Sequence, residues 1–266
     1  MKLLCYRGLT VSAGISHQLS NLQAMLKEAC LCGRRLLLPR FHLAGHHNCG
    51  RGLRSTLAEY YEMGSARVAG ERVEVVESVA MGGGVIPVVP AGEDLRGRPE
   101  PVLCKDVSRL GLVRVALQKV YPGFTALRAE VDIHPALRAV AERAAGWITP
   151  QAVWVHVRRG DLRHRTARAT APENIRRVVA TVAPEARALY IATNEPAPGF
   201  FDPLRAHYEV AGLREFPEFR QLAQEDNYRL FLVEQVFSRF FPVRISTFRT
   251  PGDWFHAALC EARGWQ

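Results

Sequence analysis

Several patterns that assign a chain to a familiar class are missing from this sequence of 266 residues. It has no internal repeat, no low-complexity tract and no apolar run of the length that a membrane helix needs. The apolar run at the amino terminus ends at Arg7, too early for a signal peptide or an anchor. We therefore expect no membrane segment in this chain and a cytoplasmic location as it stands. A secretory-pathway or Golgi location is the alternative if the amino terminus is incomplete.

Nucleotide and nucleic-acid signatures are also absent. The sequence has no Gly-x-Gly-x-x-Gly fingerprint and no Walker A loop, so neither a dinucleotide site nor a P-loop is supported. It has no block of Lys and Arg with interleaved aromatic residues. Nucleic acid is therefore a disfavoured partner, although the net charge would allow it.

What the sequence does have is the composition of a globular protein with an excess of positive charge. Hydrophobic residues make up 48% and charged residues 23%, and the net charge is +9. A field of this sign attracts anions, and a nucleotide diphosphate or a membrane surface would both fit it. Of the six cysteines, Cys5 lies in an apolar run and Cys30 and Cys32 in a helical pattern, which predicts reduced thiols with a structural role.

The first half of the chain opens with a strand, a turn of small and polar residues, a helix and a second strand. We expect these elements at 2–9, 10–18, 19–32 and 34–39, with Gly33 ending the helix. Such a unit begins a Rossmann-like domain, in which the helix N-terminus offers backbone N–H groups to an anion or a hydroxyl.

The histidine-rich segment 41–50 raises the question of a metal site. Zinc needs three or four N or S ligands, and no Cys-x-x-Cys pair elsewhere completes such a set. A structural or acceptor-side loop is the favoured interpretation, and we expect no metal. Further along, strands are expected near 72–79 and 85–89, and a helix at 135–145. A domain boundary is predicted within 146–150.

Polar residues follow three of the strands predicted in the second half, which are expected at 152–157, 189–192 and 243–245. The residues at these strand ends are Arg158, Arg159 and Asp161; Thr193, Asn194 and Glu195; and Ser246 and Thr247. Taken singly, such residues usually form turns, ion pairs or helix caps. The carboxyl ends of parallel strands meet at one edge of a sheet, so together they predict a binding site. Its guanidinium and hydroxyl groups suit a nucleoside diphosphate.

Five motifs, in their order along the chain, resemble the GDP-fucose O-fucosyltransferase family, in particular its plant and algal branch. They are 14–18, 35–39, 156–161, 190–195 with Phe200-Phe201, and a last series made of Asn227-Tyr228, Phe231, Glu234 and Ser246-Thr247-Phe248. The resemblance covers most of the chain except 51–101. It departs from the family at Ser16-His17, where the family has Gly-Asn or Asn-Asn.

The resemblance implies an α/β fold of two Rossmann-like domains that face a cleft, as in GT-B glycosyltransferases. Residues 1–147 would form the acceptor-side domain and residues 148–266 the nucleotide-sugar-binding domain. It also implies an inverting, metal-independent enzyme that transfers fucose from GDP-fucose to a hydroxyl of a protein Ser/Thr or a glycan, without a cofactor. The absence of an Asp-x-Asp element, which many metal-dependent glycosyltransferases use, agrees with this.

The resemblance further implies roles for individual residues. Arg158 would be the catalytic cation at the diphosphate, and His156 would shape the same pocket. The implied substrate-binding residues are Gly14, Ser16, His17, Gln18, Arg159, Asp161, Thr193, Asn194, Glu195, Ser246, Thr247 and Phe248. No catalytic base is assigned, although Glu195 and Asp161 are candidates.

Three other functions remain open at this point. The first is an α-1,2 or α-1,6 fucosyltransferase that acts on a glycan, because those relatives share a His-x-Arg-Arg element. The second is a non-catalytic module that binds a GDP-sugar, which the altered first loop would suit. The third and least favoured is a basic RNA-binding protein, whose binding would be strongly salt-dependent.

Overall fold

A computed structural model describes residues 2–9, 12–48, 50–78, 86–108, 113–159, 170–197 and 199–246, without the side chains of His47 and Arg214. The chain divides into two compact units, Met1–Leu137 and Arg138–Gln266. The division falls inside a helix, Pro135–Ala144, about ten residues before the boundary predicted at 146–150. The predicted boundary rested on Gly146 and Pro150, which interrupt the helical pattern in the sequence. In the structure the chain already leaves the contacts of the first unit near the start of this helix.

The main sheet of the N-terminal unit is parallel throughout. Its strands are β1 (Leu3–Arg7), β3 (Arg35–Leu37), β8 (Val75–Val76), β9 (Val88–Pro90) and β10 (Val102–Asp106). They lie in the order β8-β3-β1-β10-β9. The predicted strand, helix and strand at the start of the chain are thus confirmed as part of a parallel α/β sheet.

Two small sheets contain the other strands that the structure describes in this unit. One contains β2 (Ser12–Ala13), β4 (Phe41–Leu43) and β5 (Leu53–Ser55), in the order β2-β4-β5. The other is antiparallel and contains β6 (Tyr61–Val68), β7 (Glu71–Arg72) and β11 (Ala129–Ile133), in the order β11-β6-β7. The histidine-rich segment therefore forms strand β4 followed by a short 3₁₀ turn, Gly45–His47.

Helix α1 spans Ile15–Leu31, and α2 spans Val113–Val120. The expected start of α1 near Leu19 was four residues late, since Gly14 in an extended conformation precedes the first helical residue. Ser16, His17 and Gln18 therefore belong to the first helical turn. The polar side chains there obscured the pattern, although Ile15 and Leu22 are fully buried members of the same apolar face.

A charged pair lies at the centre of the N-terminal unit. Glu28 of α1 and Lys105 of β10 form an ion pair whose side chains are both 0% exposed. The hydroxyls of Tyr6 and Tyr121 also donate to the Glu28 carboxylate, and the Lys105 ammonium donates to the Glu93 carbonyl at 2.8 Å. Both charged groups of this buried pair are thereby engaged by further hydrogen bonds, as burial of charge requires.

The C-terminal unit is built on a four-stranded parallel sheet. Its strands are β12 (Ala152–Val157), β13 (Ala188–Thr193), β14 (Glu209–Gly212) and β15 (Val243–Ser246), in the order β14-β13-β12-β15. Its described helices are α4 (Pro172–Val182), α5 (Pro217–Glu225) and α6 (Asn227–Ser238), and the chain enters the unit within α3 (Pro135–Ala144). The three strands predicted in this half, and the helix predicted at 135–145, are confirmed to within one residue at either end.

The two faces of this sheet pack against different partners. On one face the alternating residues Val153, Val155 and Val157 join a core with Ile175 and Val179 of α4. On the other face Tyr190 lies among four phenylalanine rings at centroid distances of 5.1 to 6.3 Å: Phe216, Phe219, Phe237 and Phe241. Burial on both faces explains why these strands read as nearly continuous apolar runs.

Candidate functional site

The strand order creates a topological switch point in the C-terminal sheet. After β12 the chain forms β13 and β14 on one side, and it then returns to place β15 on the other side of β12. In open parallel sheets a ligand crevice lies beyond the carboxyl ends of the strands at this point. The expected position of a site is therefore the crevice beyond the carboxyl ends of β12 and β15.

His156 and Ser246 lie side by side at the ends of these two strands. They are partners in the parallel ladder, and the His156 Nδ1 atom lies 3.2 Å from the Ser246 Oγ atom. The imidazole also stacks on Trp154, with 5.7 Å between ring centroids and 11° between planes. These two contacts hold the ring in one orientation.

The charge state of His156 follows from its surroundings. Burial, and secondarily the positive charge of Arg158, lowers the pKa of His156 to about 4. At neutral pH the imidazole is therefore uncharged and has one donor and one acceptor nitrogen. Ser246, 7% exposed, contributes a hydroxyl to the same edge.

Arg158 follows β12 directly and is half-buried. Arg158 and Arg159 both lie beyond Val157, the last residue of the strand. Contact between Arg158 and a ligand stays a prediction, but its position at the end of the central strand agrees with the crevice that the strand order defines.

Arg159 is held inside the protein. Its side chain is 7% exposed, and its Nε atom donates to the Glu195 carboxylate at 2.6 Å. Nη1 donates to the Thr170 hydroxyl at 2.9 Å, and the guanidinium lies 4.1 Å from the centroid of the Phe200 ring. These contacts anchor the Arg159 side chain at the end of β12. Its predicted contact with the ligand stays a prediction.

The strand-end residues after β13 are tied to β12 in the same way. The Asn194 Oδ1 atom accepts from the Arg159 backbone N–H at 2.7 Å, and the Thr193 hydroxyl donates to the Val157 carbonyl at 2.9 Å. The side chain of Glu195 is 1% exposed and also accepts from the Ala197 backbone N–H at 3.1 Å. Thr193, Asn194 and Glu195 thus bond within the site's own framework. Their predicted substrate contacts, and the candidate role of Glu195 as a base, stay predictions.

The first-loop residues divide into two groups. Ser16 and His17 are exposed in the first turn of α1, next to Gly14. Gln18 is 2% exposed and donates to the His42 carbonyl at 2.8 Å, while its Oε1 atom accepts from the Asn21 amide at 3.1 Å. Gln18 therefore joins α1 to β4, and only Ser16 and His17 of the predicted side chains face outward here.

Three predicted residues, Asp161, Thr247 and Phe248, lie outside the described residues. Thr170 is a participant that sequence reasoning missed, because a threonine eleven residues after Arg159 carries no local signal for that contact. Phe200 belonged to a recognised motif, and the structure adds that its ring covers the Arg159 guanidinium.

Metal ligands and membrane helices can be assessed in the described part of the chain alone. Those residues contain no group of three or more His, Cys, Asp or Glu side chains placed to hold a metal ion. Among the same residues, no helix combines the length and the apolar character that spanning a bilayer requires.

Comparison with solved structures finds the same fold in fucosyltransferases. A crystal structure of POFUT1 in complex with GDP-fucose is 10% identical, with a TM-score of 0.55 over 98% of this chain and 94% of that one. The fucosyltransferase NodZ from Bradyrhizobium is 14% identical, with a TM-score of 0.53 over 98% of this chain and 92% of that one. NodZ α-1,6-fucosyltransferase soaked with GDP-fucose is 13% identical, with a TM-score of 0.52 over 98% and 91%.

These identities are low, so the likeness establishes the fold and leaves function to be argued from the site. At the level of sequence, no protein-family model and no characterised protein matches the chain.

Proposed function

We propose that this chain is a glycosyltransferase of GT-B type that takes fucose from GDP-fucose and transfers it to a hydroxyl acceptor. The observation that carries the proposal is the position of Arg158, His156 and Ser246 at the switch point of the C-terminal sheet. The fold likeness to POFUT1 and NodZ, which were solved with GDP-fucose, supports this choice of donor.

Arg158 supplies the main electrostatic contribution in this mechanism. When the bond between fucose and the diphosphate breaks, negative charge builds up on the leaving phosphate. A guanidinium placed there beforehand stabilises the transition state more than the ground state. Arg158 performs this role without a divalent cation, and inversion follows if the acceptor hydroxyl attacks from the opposite face of the sugar.

Arg159 and its partners hold the end of β12 so that Arg158 keeps its place. The Arg159 guanidinium is fixed by its buried pair with Glu195, by the Thr170 hydroxyl and by the Phe200 ring. The Asn194 side chain fixes the backbone between the two arginines. His156 stays neutral, so Arg158 is the cation that faces the phosphate, and Ser246 offers a hydroxyl to a phosphate oxygen. This arrangement is the preorganisation that electrostatic catalysis needs.

The acceptor class separates two forms of the proposal. A protein Ser/Thr hydroxyl is the first candidate, and the strand-end motif Tyr190–Glu195 that resembles the O-fucosyltransferases favours it. A glycan hydroxyl is the second candidate, and the likeness to an α-1,6-fucosyltransferase at a similar TM-score favours that one.

The experiment measures GDP release from GDP-fucose by the purified chain in EDTA, with Ser/Thr peptides or oligosaccharides as acceptors. We expect GDP binding and turnover without added metal, and a fall in kcat of about 10²- to 10³-fold for Arg158→Ala. Arg187→Ala is the matched control, because Arg187 is exposed and precedes β13 at the opposite edge of the same sheet.

Three results would overturn parts of this proposal. Normal turnover by Arg158→Ala would refute the role of Arg158 as the catalytic cation. Loss of activity in EDTA would refute metal independence. GDP binding without turnover for any acceptor or for water would leave a non-catalytic GDP-sugar module in its place.

A further inference from the structure

Two cysteines meet in the N-terminal sheet at a position that no part of the proposed transfer reaction uses. Cys5 of β1 and Cys104 of β10 are direct partners in the parallel ladder, so their side chains project from the same face. Neighbouring strands lie about 4.8 Å apart, which is within the range of Cα separations found in disulfides. The two residues are 7% and 9% exposed.

The surroundings of the pair make its two thiols unequal. Cys5 donates a hydrogen bond to the Leu103 carbonyl at 3.3 Å. The adjacent Cys5 thiol, and secondarily the positive charge of Arg7, lowers the pKa of Cys104, while burial and the negative charge of Asp106 oppose this. The interaction with Cys104, together with burial, raises the pKa of Cys5. Cys104 is therefore the member of the pair that more readily becomes a thiolate.

Arg7 is held next to this site by a defined contact. It lies one pleat beyond Cys5 and pairs with Asp106, the residue one pleat beyond Cys104. Arg7 Nε and Nη2 donate to the same Asp106 oxygen at 3.1 and 2.9 Å. An ion pair thus lies between the two thiols and the carboxyl ends of β1 and β10, with Arg7 as its positively charged member.

We propose that Cys5 and Cys104 form a dithiol site that a peroxide converts into an intramolecular disulfide, with Cys104 as the attacking thiol and Cys5 as the resolving thiol. The Cys104 sulfur attacks one peroxide oxygen, the O–O bond breaks, and the leaving hydroxide takes a proton to become water. The Cys5 sulfur then attacks the sulfenic acid sulfur of Cys104, the S–O bond breaks, and a second water leaves. Two thiols and one hydrogen peroxide give one disulfide and two waters.

Cys30 and Cys32 provide an internal reference. They lie two residues apart at the end of α1, where neighbours of this spacing project in different directions. Burial raises the pKa of Cys30, which disfavours its thiolate. A chemically similar pair of cysteines in the same unit therefore lacks the facing geometry of the Cys5 and Cys104 site.

The experiment treats the folded chain with one equivalent of hydrogen peroxide at neutral pH, alkylates the remaining thiols after denaturation, and maps peptides by mass spectrometry. We expect a peptide that links Cys5 to Cys104, which dithiothreitol releases, and alkylation of Cys30 and Cys32. The double variant Cys30→Ser/Cys32→Ser should form the same link to the same extent.

Single variants assign the two roles. In Cys5→Ser we expect a Cys104 sulfenic acid that dimedone traps, whereas in Cys104→Ser we expect Cys5 to stay alkylatable. Peptide mapping of the wild-type chain tests the proposal without any variant. Circular dichroism checks that each variant is folded. The proposal is overturned if both thiols remain alkylatable after peroxide, or if the link forms only in urea-unfolded chain.

Discussion

Each of the two parallel sheets has a topological switch point, between β12 and β15 in the C-terminal unit and between β1 and β10 in the N-terminal unit. The side chains at these two points differ in charge and in burial. In the C-terminal sheet the ends of β12 and β15 present a neutral histidine, a hydroxyl and Arg158, and the associated ion pair is buried. In the N-terminal sheet the ends of β1 and β10 carry an exposed ion pair, Arg7 with Asp106. A switch point therefore locates a crevice, and the side chains decide what it can bind.

Backbone packing also differs between the two switch points. Beyond β1 the backbone of Gly8, at φ +80°, packs so closely on Ser108 that a Cβ atom would lie 2.5 Å from the Ser108 Cβ. The ends of β1 and β10 are thus pressed together. At β12 the corresponding chain continues as two arginines, of which Arg159 is held by side-chain contacts. Four measurements test this difference.

The largest effect should come from Glu195→Ala. This change leaves the Arg159 guanidinium buried without its counter-ion, and loss of one member of a buried pair costs about 3–5 kcal/mol. Urea unfolding measures the change, and Glu195→Gln, which keeps an acceptor oxygen, should cost less. A cost no larger than that of an average surface substitution would show that the pair does not hold the end of β12.

Gly8→Ala should have the next largest effect. An alanine there must adopt a left-handed backbone, which costs about 1–3 kcal/mol, and its Cβ must also displace Ser108. Gly33→Ala is the matched control, since Gly33 has φ +59° and no atom within 4 Å of the point that a Cβ would occupy. Equal costs for the two variants in thermal unfolding would contradict the close approach of β1 and β10.

The third measurement concerns the pH dependence of stability that His156 creates. Its pKa is about 4 in the folded chain against an ordinary value of 6.5. Between these values the unfolded chain binds a proton that the folded chain does not, so the unfolding free energy falls as pH falls. From pH 7 to pH 5 we expect wild type to lose about 1–2 kcal/mol more than His156→Gln. Parallel pH profiles for the two proteins would refute the buried, neutral imidazole.

The smallest effect should come from Arg7→Ala. Arg7 and Asp106 form a solvent-exposed pair, with side chains 56% and 31% exposed, and such pairs are screened by salt. We expect an unfolding free energy equal to that of wild type within the error of urea titration at moderate ionic strength. A marked loss would mean that the N-terminal switch point is held by electrostatics, as the C-terminal one is.

The parts of the fold that were predictable have a simple physical basis. Strands β12 and β13 are largely buried, mostly apolar runs, and Asp226 caps α6 by accepting from the Tyr228 backbone N–H at 3.0 Å. Strand β10 was missed because it contains Lys105, which no local pattern marks as buried. Strand β6 was missed because Gly64 and polar residues interrupt its alternation, at a sheet position with a register shift in its partner.

For the candidate site, the sequence predicted which strand ends come together but not which groups face a ligand. The predicted convergence of Arg158, Asn194 and Ser246 follows from parallel strand order alone. The burial of Arg159 depends on Glu195, Thr170 and Phe200, which meet only once the sheet and its loops have formed. Adjacent arginines are equivalent in a sequence, and long-range pairing makes them different.

The buried pair of Glu28 and Lys105 has a consequence for how this sequence can vary. The two positions are 77 residues apart in the chain. Because both side chains are fully buried, water would not solvate either charge if the other were lost. Replacing one alone is costly, whereas replacing both with well-packed apolar residues is often tolerated. Covariation between positions 28 and 105 is therefore expected among homologous chains, with charged pairs or apolar pairs and few mixtures of the two.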